Sequence, residues 1–324
     1  MKKIFFAIVA VAAMASCAKE EVISVDRQAI QFGDVFVDNA TRATDPTYGG
    51  AEGQTALTKF NVYGTVTSTS GSVNIYDGDE VEGTVGSNIV DDKETHVWSC
   101  DEHNYWVPGA SYKFAAVVDA NAVAVSEVNG ATIGMPISLT YNTDDQKDLL
   151  YAATDVASAS ATQAPVNFSF SHLLSKVQFT VSSNTAHTND YTGYYHTVTD
   201  IKVNNFQTGT YTISGGSWAG TTPKAIEFGS VEKVTLDHSK TNATQKLLIP
   251  TTAAYTVEFK VNLYKNGVLL GVIDHTGDNA ITVNTALAAG CSYNFTIECS
   301  VGNPIQFSVT QDPTWTDGGS VKIQ

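Results

Sequence analysis

The chain has 324 residues, of which 16% are charged, with 33 acidic against 18 basic side chains and a net charge of −15. Such acidity argues against nucleic acid or an anionic lipid surface as a partner, because both repel a like-charged exterior. The length beyond the first forty or so residues exceeds the usual size of one core and predicts two domains.

Lys2 and Lys3 stand ahead of an apolar run from Ile4 to Ala15. That run is too short to cross a bilayer as a helix, which takes ~20 residues, so residues 1–16 read as a secretory signal peptide. Met14-Ala15-Ser16-Cys17 resembles the lipobox of bacterial lipoproteins, with Met14 and Ser16 as mild departures. The resemblance implies a lipid on Cys17 and tethering at the outer membrane. Lys19-Glu20-Glu21 is similar to a short tag that sends some such lipoproteins to the cell surface.

Residues 17–42 form a pro-segment around one apolar, strand-like run. Ile30, Phe32 and Phe36 are its candidate inward side chains, and Gly33-Asp34 breaks strict alternation where a bulge is expected. Arg27 and Arg42 are the only arginines in the chain. An arginine-specific protease would therefore remove this segment and leave residues 43–324 whole. Residues 43–54 (ATDPTYGGAEGQ) read as an exposed linker directly behind the Arg42-Ala43 bond.

From Leu57 onward, short alternating runs of β-branched and aromatic residues predict strands. They lie around Phe60 to Val66, at Val73 and Ile75 up to a turn at Tyr76-Asp77-Gly78-Asp79, and from Tyr112 to Val118. Residues 144–159 and 285–290 contain helix-friendly stretches that also read as strand or connection, and the chain is taken as all-β. The small, polar residues 158–165 (SASATQAP) mark a boundary between domains at 43–163 and 164–324. Beyond it, residues 257–264 and 268–273 flank Lys265-Asn266-Gly267, a strong hairpin signal. Strands at this spacing without intervening helices imply sandwiches.

No catalytic constellation emerges. Gly215-Gly216-Ser217-Trp218-Ala219 lacks the final glycine of a nucleophile elbow and falls in a turn between strands. His96, Cys100 and His103 match no common zinc frame, and Asp77, Asp79 and Glu80 lack the other positions of a calcium loop. No glycine-rich phosphate loop is present, and no metal or cofactor is expected. His172, on an alternating strand, reads as a satisfied packing histidine. Tyr191-Thr192-Gly193-Tyr194-Tyr195-His196 offers either a sugar-stacking patch or aromatic packing. Cys100, Cys291 and Cys299 are an odd set. On one extended strand Cys291 and Cys299 would stand roughly 26 Å apart, against about 7 Å for a disulfide, so buried free thiols are expected.

Taken in order, Trp106-Val107-Pro108-Gly109 before Tyr112-Lys113-Phe114-Ala115-Ala116, Asp148-Leu149-Leu150-Tyr151-Ala152, Phe170-Ser171-His172-Leu173-Leu174-Ser175-Lys176-Val177, Tyr293-Asn294-Phe295-Thr296-Ile297, Ile305-Gln306-Phe307 and Trp315 resemble the fimbrillin family. The resemblance spans the chain. It implies two transthyretin-like β-sandwich domains in tandem, no enzyme activity, and a lipoprotein-derived subunit of a type V pilus (fimbria). In that family a trypsin-like, arginine-specific protease removes an N-terminal strand, and Arg42 and Ala43 flank the implied cut. A sandwich that loses an edge strand exposes unpaired backbone and an apolar groove, which a neighbouring subunit can refill. Ile305, Phe307 and Val309, or Val321 and Ile323, are the candidate donor residues. The implied partners are other pilin subunits, the maturation protease and, before cleavage, the outer membrane. The alternative is a lipid-anchored surface or tip adhesin of the same fold that does not polymerise.

Overall fold

The computed structural model describes residues 27–37, 47–50, 53–90, 93–128, 131–160, 162–183, 191–236, 239–301 and 304–313. Its first strands are β1 (Phe32–Val37), β2 (Thr47–Gly50), β3 (Gly53–Ala56), β4 (Lys59–Ser68), β5 (Gly71–Val90), β6 (Lys93–Cys100) and β7 (Ser111–Val118). There follow β8 (Ala122–Val128), β9 (Ala131–Asn142), β10 (Leu150–Val156), β11 (Val166–His172), β12 (Ser175–Ser183), β13 (Tyr194–Thr212) and β14 (Ser217–Thr235). The last are β15 (Lys240–Asn242), β16 (Lys246–Leu248), β17 (Tyr255–Lys265), β18 (Val268–His275), β19 (Ile281–Val283), β20 (Ser292–Cys299) and β21 (Gln306–Asp312). Among the described residues there is no α-helix, and the chain is nearly all β, as its alternation predicts.

The clearest alternation in sequence gives the clearest alternation in burial. In β11, Val166, Phe168, Phe170 and His172 point inward and the residues between them outward, and β17 and β20 follow the same rule. Period-two spacing places every second side chain on one face of a strand. The arms β17 and β18 are joined by Asn266 and Gly267 at φ 50° and 83°, the left-handed pair that a two-residue hairpin requires.

Hydrogen bonding closes β1-β11-β10-β7-β4-β5-β6 into a barrel. A second sheet runs β15-β12-β20-β21, with β16 also on β12, and a third runs β18-β17-β13-β9-β8, with β14 on β13 and β19 on β17. The barrel encloses Phe60, Trp106, Tyr112, Phe114, Phe168 and Phe170. The second core gathers Phe179, Phe228, Phe259, Tyr293 and Phe295 between the other two sheets. A third cluster, with Tyr63, Leu139, Tyr141, Leu149, Leu173 and Leu247, joins residues from both halves of the sequence.

Sheets exchange strands across residues 158–165. The segment leads from β10 into β11, both in the barrel, while β9 ahead of it pairs Tyr141 with Gly209 of β13. The segment is itself hydrogen-bonded, with the Ala159 amide donating to Ala110 O and the Gly109 amide to Ala159 O, each at 2.8 Å.

The two cores share a local device. Gly109-Ala110-Ser111-Tyr112 and Gly290-Cys291-Ser292-Tyr293 repeat one pattern, with both glycines at positive φ. Each tyrosine hydroxyl accepts the amide five residues earlier, Val107 N for Tyr112 and Ala288 N for Tyr293, at 2.7 Å in both cases. Burial raises both phenol pKa values, that of Tyr293 to about 12.

Two expectations are corrected, the turn at Tyr76 to Asp79 and the burial of Cys100, while the strand or connection reading of the two helix-friendly stretches holds. Tyr76-Asp77-Gly78-Asp79 is not a turn but lies inside the long β5, where Gly78 at φ 83° takes up a register shift opposite Val62 and Tyr63. The helix-friendly stretch 144–159 holds one 3-10 turn, Thr143–Asp145, and then β10; at 285–290, Leu287 bridges to Thr251 instead of coiling. Cys100 is half-buried, whereas Cys291 and Cys299 are buried, and all three thiols are free.

Candidate functional site: the first strand and its groove

β1 is the stave that closes the barrel. It runs parallel to β11, with Phe32 opposite Val166, Val35 opposite Phe168, Phe36 opposite Ser169 and Val37 opposite Phe170. On its other side it meets β6 at one pair, Phe32 with Trp98. A register shift falls between Phe32 and Val35, at the Gly33-Asp34 step that interrupts the alternation. The bulge turns the inward face from even to odd numbers, because one extra residue flips the phase of a strand. Ile30 and Phe32 are buried before it, and Val35 and Val37 after it. A Cβ on Gly33 would stand 2.9 Å from the Pro165 Cβ, so glycine lets the bulge lie against the start of β11.

The Phe32 ring holds the strand down. It stacks on Phe168 at 6.1 Å and meets Tyr76 at 5.6 Å and Phe60, edge-on, at 6.2 Å. Ahead of β1 the backbone stitches to two loops. Ile30 N donates to Asn104 O at 2.8 Å, Trp106 N to Gln28 O at 3.0 Å and Val166 N to Gln31 O at 2.8 Å. The Gln28 amide adds a two-way clasp, donating to Gln163 O at 2.8 Å and accepting from Gln163 N at 2.6 Å.

Of the residues singled out from sequence, Ile30 and Phe32 thus line the groove, and Phe36 is placed by its backbone pairing alone. Val35, Val37 and Gln28 were not foreseen, although counting onward from Gly33-Asp34 in the shifted phase finds both valines. Cys17, Arg42, Ala43, Val321 and Ile323 lie outside the described residues, and Arg27 is exposed. Ile305, Phe307 and Val309 sit at β21, the edge of the second sheet, half-buried against the second core. Phe307 is held between Phe259 at 6.1 Å and Phe295 at 5.9 Å.

The residues weighed for chemistry are occupied by structure. His172 Nδ1 lies 2.6 Å from Asp148 Oδ2, both buried. Among the described residues, no group of His, Cys, Asp and Glu could hold a metal. Ser217 follows a 3-10 turn and opens β14, with no helix behind it. Tyr191 packs edge-on against Tyr194 at 5.8 Å and Tyr195 stacks on Tyr264 at 5.1 Å, while Lys265 and Lys233 sit over Tyr194 and Tyr195. A cleft of about 630 Å³ runs between Asn204, Lys224 and Thr256. Two of its polar side chains are paired, since Asn204 Nδ2 donates to Thr256 Oγ1 at 2.7 Å and to Glu258 Oε1 at 3.0 Å and Lys224 pairs with Asp144, whereas the buried Asn205 Oδ1 has no hydrogen-bond partner among the described residues.

Comparison with known proteins agrees with this architecture. A fimbrial protein from Bacteroides vulgatus shares the fold with a TM-score of 0.57 at 16% identity, over 89% of this chain and 99% of that one. A candidate cell adhesion protein from Bacteroides ovatus reaches 0.50 at 12% identity, over 90% and 99%. No curated protein matches the chain. The family model described as fimbrillin-like matches residues 41–313, most of the sequence, and the chain belongs to that family.

Proposed function

We propose that the protein is a structural subunit of a cell-surface fimbria, exported as a lipoprotein through Cys17, cut after Arg42, and polymerised by strand exchange at the barrel. The observation that carries this reading is the position of β1: a short, bulged, parallel strand closes the barrel, and one of the chain's two arginines lies five residues beyond its end. Its buried Phe32, Val35 and Val37, with Ile30 just ahead of it, contribute roughly 6–12 kcal/mol of apolar burial at most. While the chain is intact, that contribution acts within one molecule, at an effective concentration of order millimolar. Cleavage turns retention of the strand into an ordinary bimolecular equilibrium. An apolar strand from another subunit can then compete for the edges of β11 and β6, whose backbone groups otherwise lack a partner.

For the donor, the chain beyond β21 is the better candidate. Withdrawing Ile305, Phe307 and Val309 would uncover the second core that they cover, whereas Val321 and Ile323 follow that strand in sequence. The maturation protease, other subunits and the outer membrane before cleavage are the partners this reading requires.

The test is arginine-specific digestion followed by size-exclusion chromatography with light scattering. The wild type is expected to form oligomers after the cut. Arg42→Ala is expected to form nothing larger after digestion than it does before it, because cutting at Arg27 leaves β1 attached. Deleting Ser320 to Gln324 is expected to weaken assembly. If cut wild type grows no larger than cut Arg42→Ala with candidate partner subunits present, the polymerising reading fails and the lipid-anchored adhesin replaces it.

A further inference from the structure

The strongest unassigned feature is the open edge of the third sheet. β18 pairs only with β17 among the described residues, and its outer side faces solvent. Val268, Leu269, Leu270, Val272 and Ile273 are each between 46% and 64% exposed. Both faces are apolar: Ile273 sits across from buried Val261, and Val272 across from Asn262 on the outer face. Natural edge strands are usually blunted by a charge, a proline or shortness, yet from Val268 to Ile273 there is neither charge nor proline. A run of exposed apolar residues on unpaired backbone is a template for another strand.

We propose that the β18 edge pairs antiparallel with the same strand of a second copy of this chain, joining the two sheets about a twofold axis near Gly271. The placement of charge at the two ends of the strip favours the antiparallel direction. The apolar run is bounded by Lys265 at the turn and Asp274 at the far end. Lys265 is exposed over the Tyr194 ring, and the Asp274 side chain, 3.7 Å from Lys260 of β17, is still 48% exposed. Antiparallel pairing centred on Gly271 sets Asp274 of one copy opposite Val268 of the other, one strand away from Lys265, and symmetry repeats this at the other end. Parallel pairing would instead align lysine with lysine and aspartate with aspartate. At −15 per copy, two molecules repel over most of their surface, and this charge-free strip is where approach costs least. Gly271 suits the axis, since nothing lies within 4 Å of where its Cβ would be. The contact is about eight residues, or ~26 Å, long, which suits a weak, reversible association. It needs no cleavage and no strand exchange, and it stands whether or not the barrel polymerises.

The test uses the uncut full chain carrying Arg42→Ala, so that exchange at the barrel plays no part. Light scattering from micromolar to millimolar concentration is expected to show a monomer–dimer equilibrium, with concentration-dependent hydrogen-exchange protection confined to β18. Leu270→Lys and Val272→Lys are each expected to weaken association roughly tenfold or more, since each sets like charge or lost apolar contact on the axis. Ile137→Lys, equally exposed on β9, is the control and should change nothing. In the proposed register residue 270 faces residue 272 of the other copy, so mixing Leu270→Lys protein with Val272→Glu protein should restore the dimer. A wild type that stays monomeric throughout overturns the proposal, as does a dimer indifferent to both lysine variants or a mixture that stays monomeric. A monomer that floats with phosphatidylcholine vesicles through Leu270 also overturns it and assigns the edge to lipid.

Discussion

The Phe32 and Phe168 rings stack at 6.1 Å with their planes 22° apart, joining strands separated by more than a hundred residues of chain. Through this pair the first strand belongs to the barrel core, and its removal leaves a hole lined by Phe60, Tyr76, Trp98 and Phe168. An apolar slot of that kind is filled by its own strand, by another, or by collapse.

Phe32→Ala is therefore expected to cost about 3–5 kcal/mol, read as a lowered Tm of the intact chain. It should also speed the loss of the N-terminal segment after arginine-specific cleavage, followed by mass spectrometry. Ile137→Ala, half-exposed on β9, should stay within about 0.5 kcal/mol of wild type. Equal effects of the two would contradict the anchoring role of Phe32.

The paired tyrosines give a second prediction. Tyr112→Phe and Tyr293→Phe each remove the oxygen that accepts a backbone amide, Val107 N or Ala288 N. Losing such a partly buried hydrogen bond costs about 0.5–1.5 kcal/mol. Urea denaturation should show losses of similar size for the two variants, adding in the double variant because they lie in separate cores.

His196 sets a pH limit. It is buried on β13, its Nδ1 has no hydrogen-bond partner, and burial holds its pKa below the ordinary imidazole range. The unfolded chain therefore takes up the proton first, near pH ~6.5. The stability this group preserves is complete above that pH and is lost as pH falls toward the lowered folded value. Asp144 and Asp274, held low chiefly by side-chain hydrogen bonds with Lys224 and Thr276, act in a separate, more acidic window. Tm measured from pH 7 to 5 should fall in wild type and flatten in His196→Leu. An unchanged slope would assign the loss to other groups.

Alternation made β11, β17 and β20 legible in the sequence, and Asn266-Gly267 gave away the hairpin. Pairing across distance was not legible. Nothing local to Phe32 says that β1 runs parallel to β11, because that register depends on which edges the finished barrel leaves open. Gly33-Asp34 marked a bulge, but its effect, the handover from Phe32 to Val35 and Val37, depends on Pro165 and Asn167 lying against it. Tyr76 to Asp79 carries turn residues, yet pairing with β4 keeps it in strand through a bulge at Gly78. The exposed β18 edge was hidden for the opposite reason: an apolar run in a hairpin reads as core, and it lies in solvent because no further strand pairs with it among the described residues.

The central claim, that β1 is exchanged for a strand of another subunit, is tested most directly at Asn167. This exposed residue of β11 lies against Gly33, and a photo-reactive side chain there reports what fills the groove. In uncut protein the adduct should fall on residues 27–37 of the same chain. After arginine-specific cleavage and assembly it should move to residues 313–324 of a different copy, identified by mixing isotope-labelled and unlabelled protein. An adduct that stays on residues 27–37, or that joins no second copy, would contradict strand exchange.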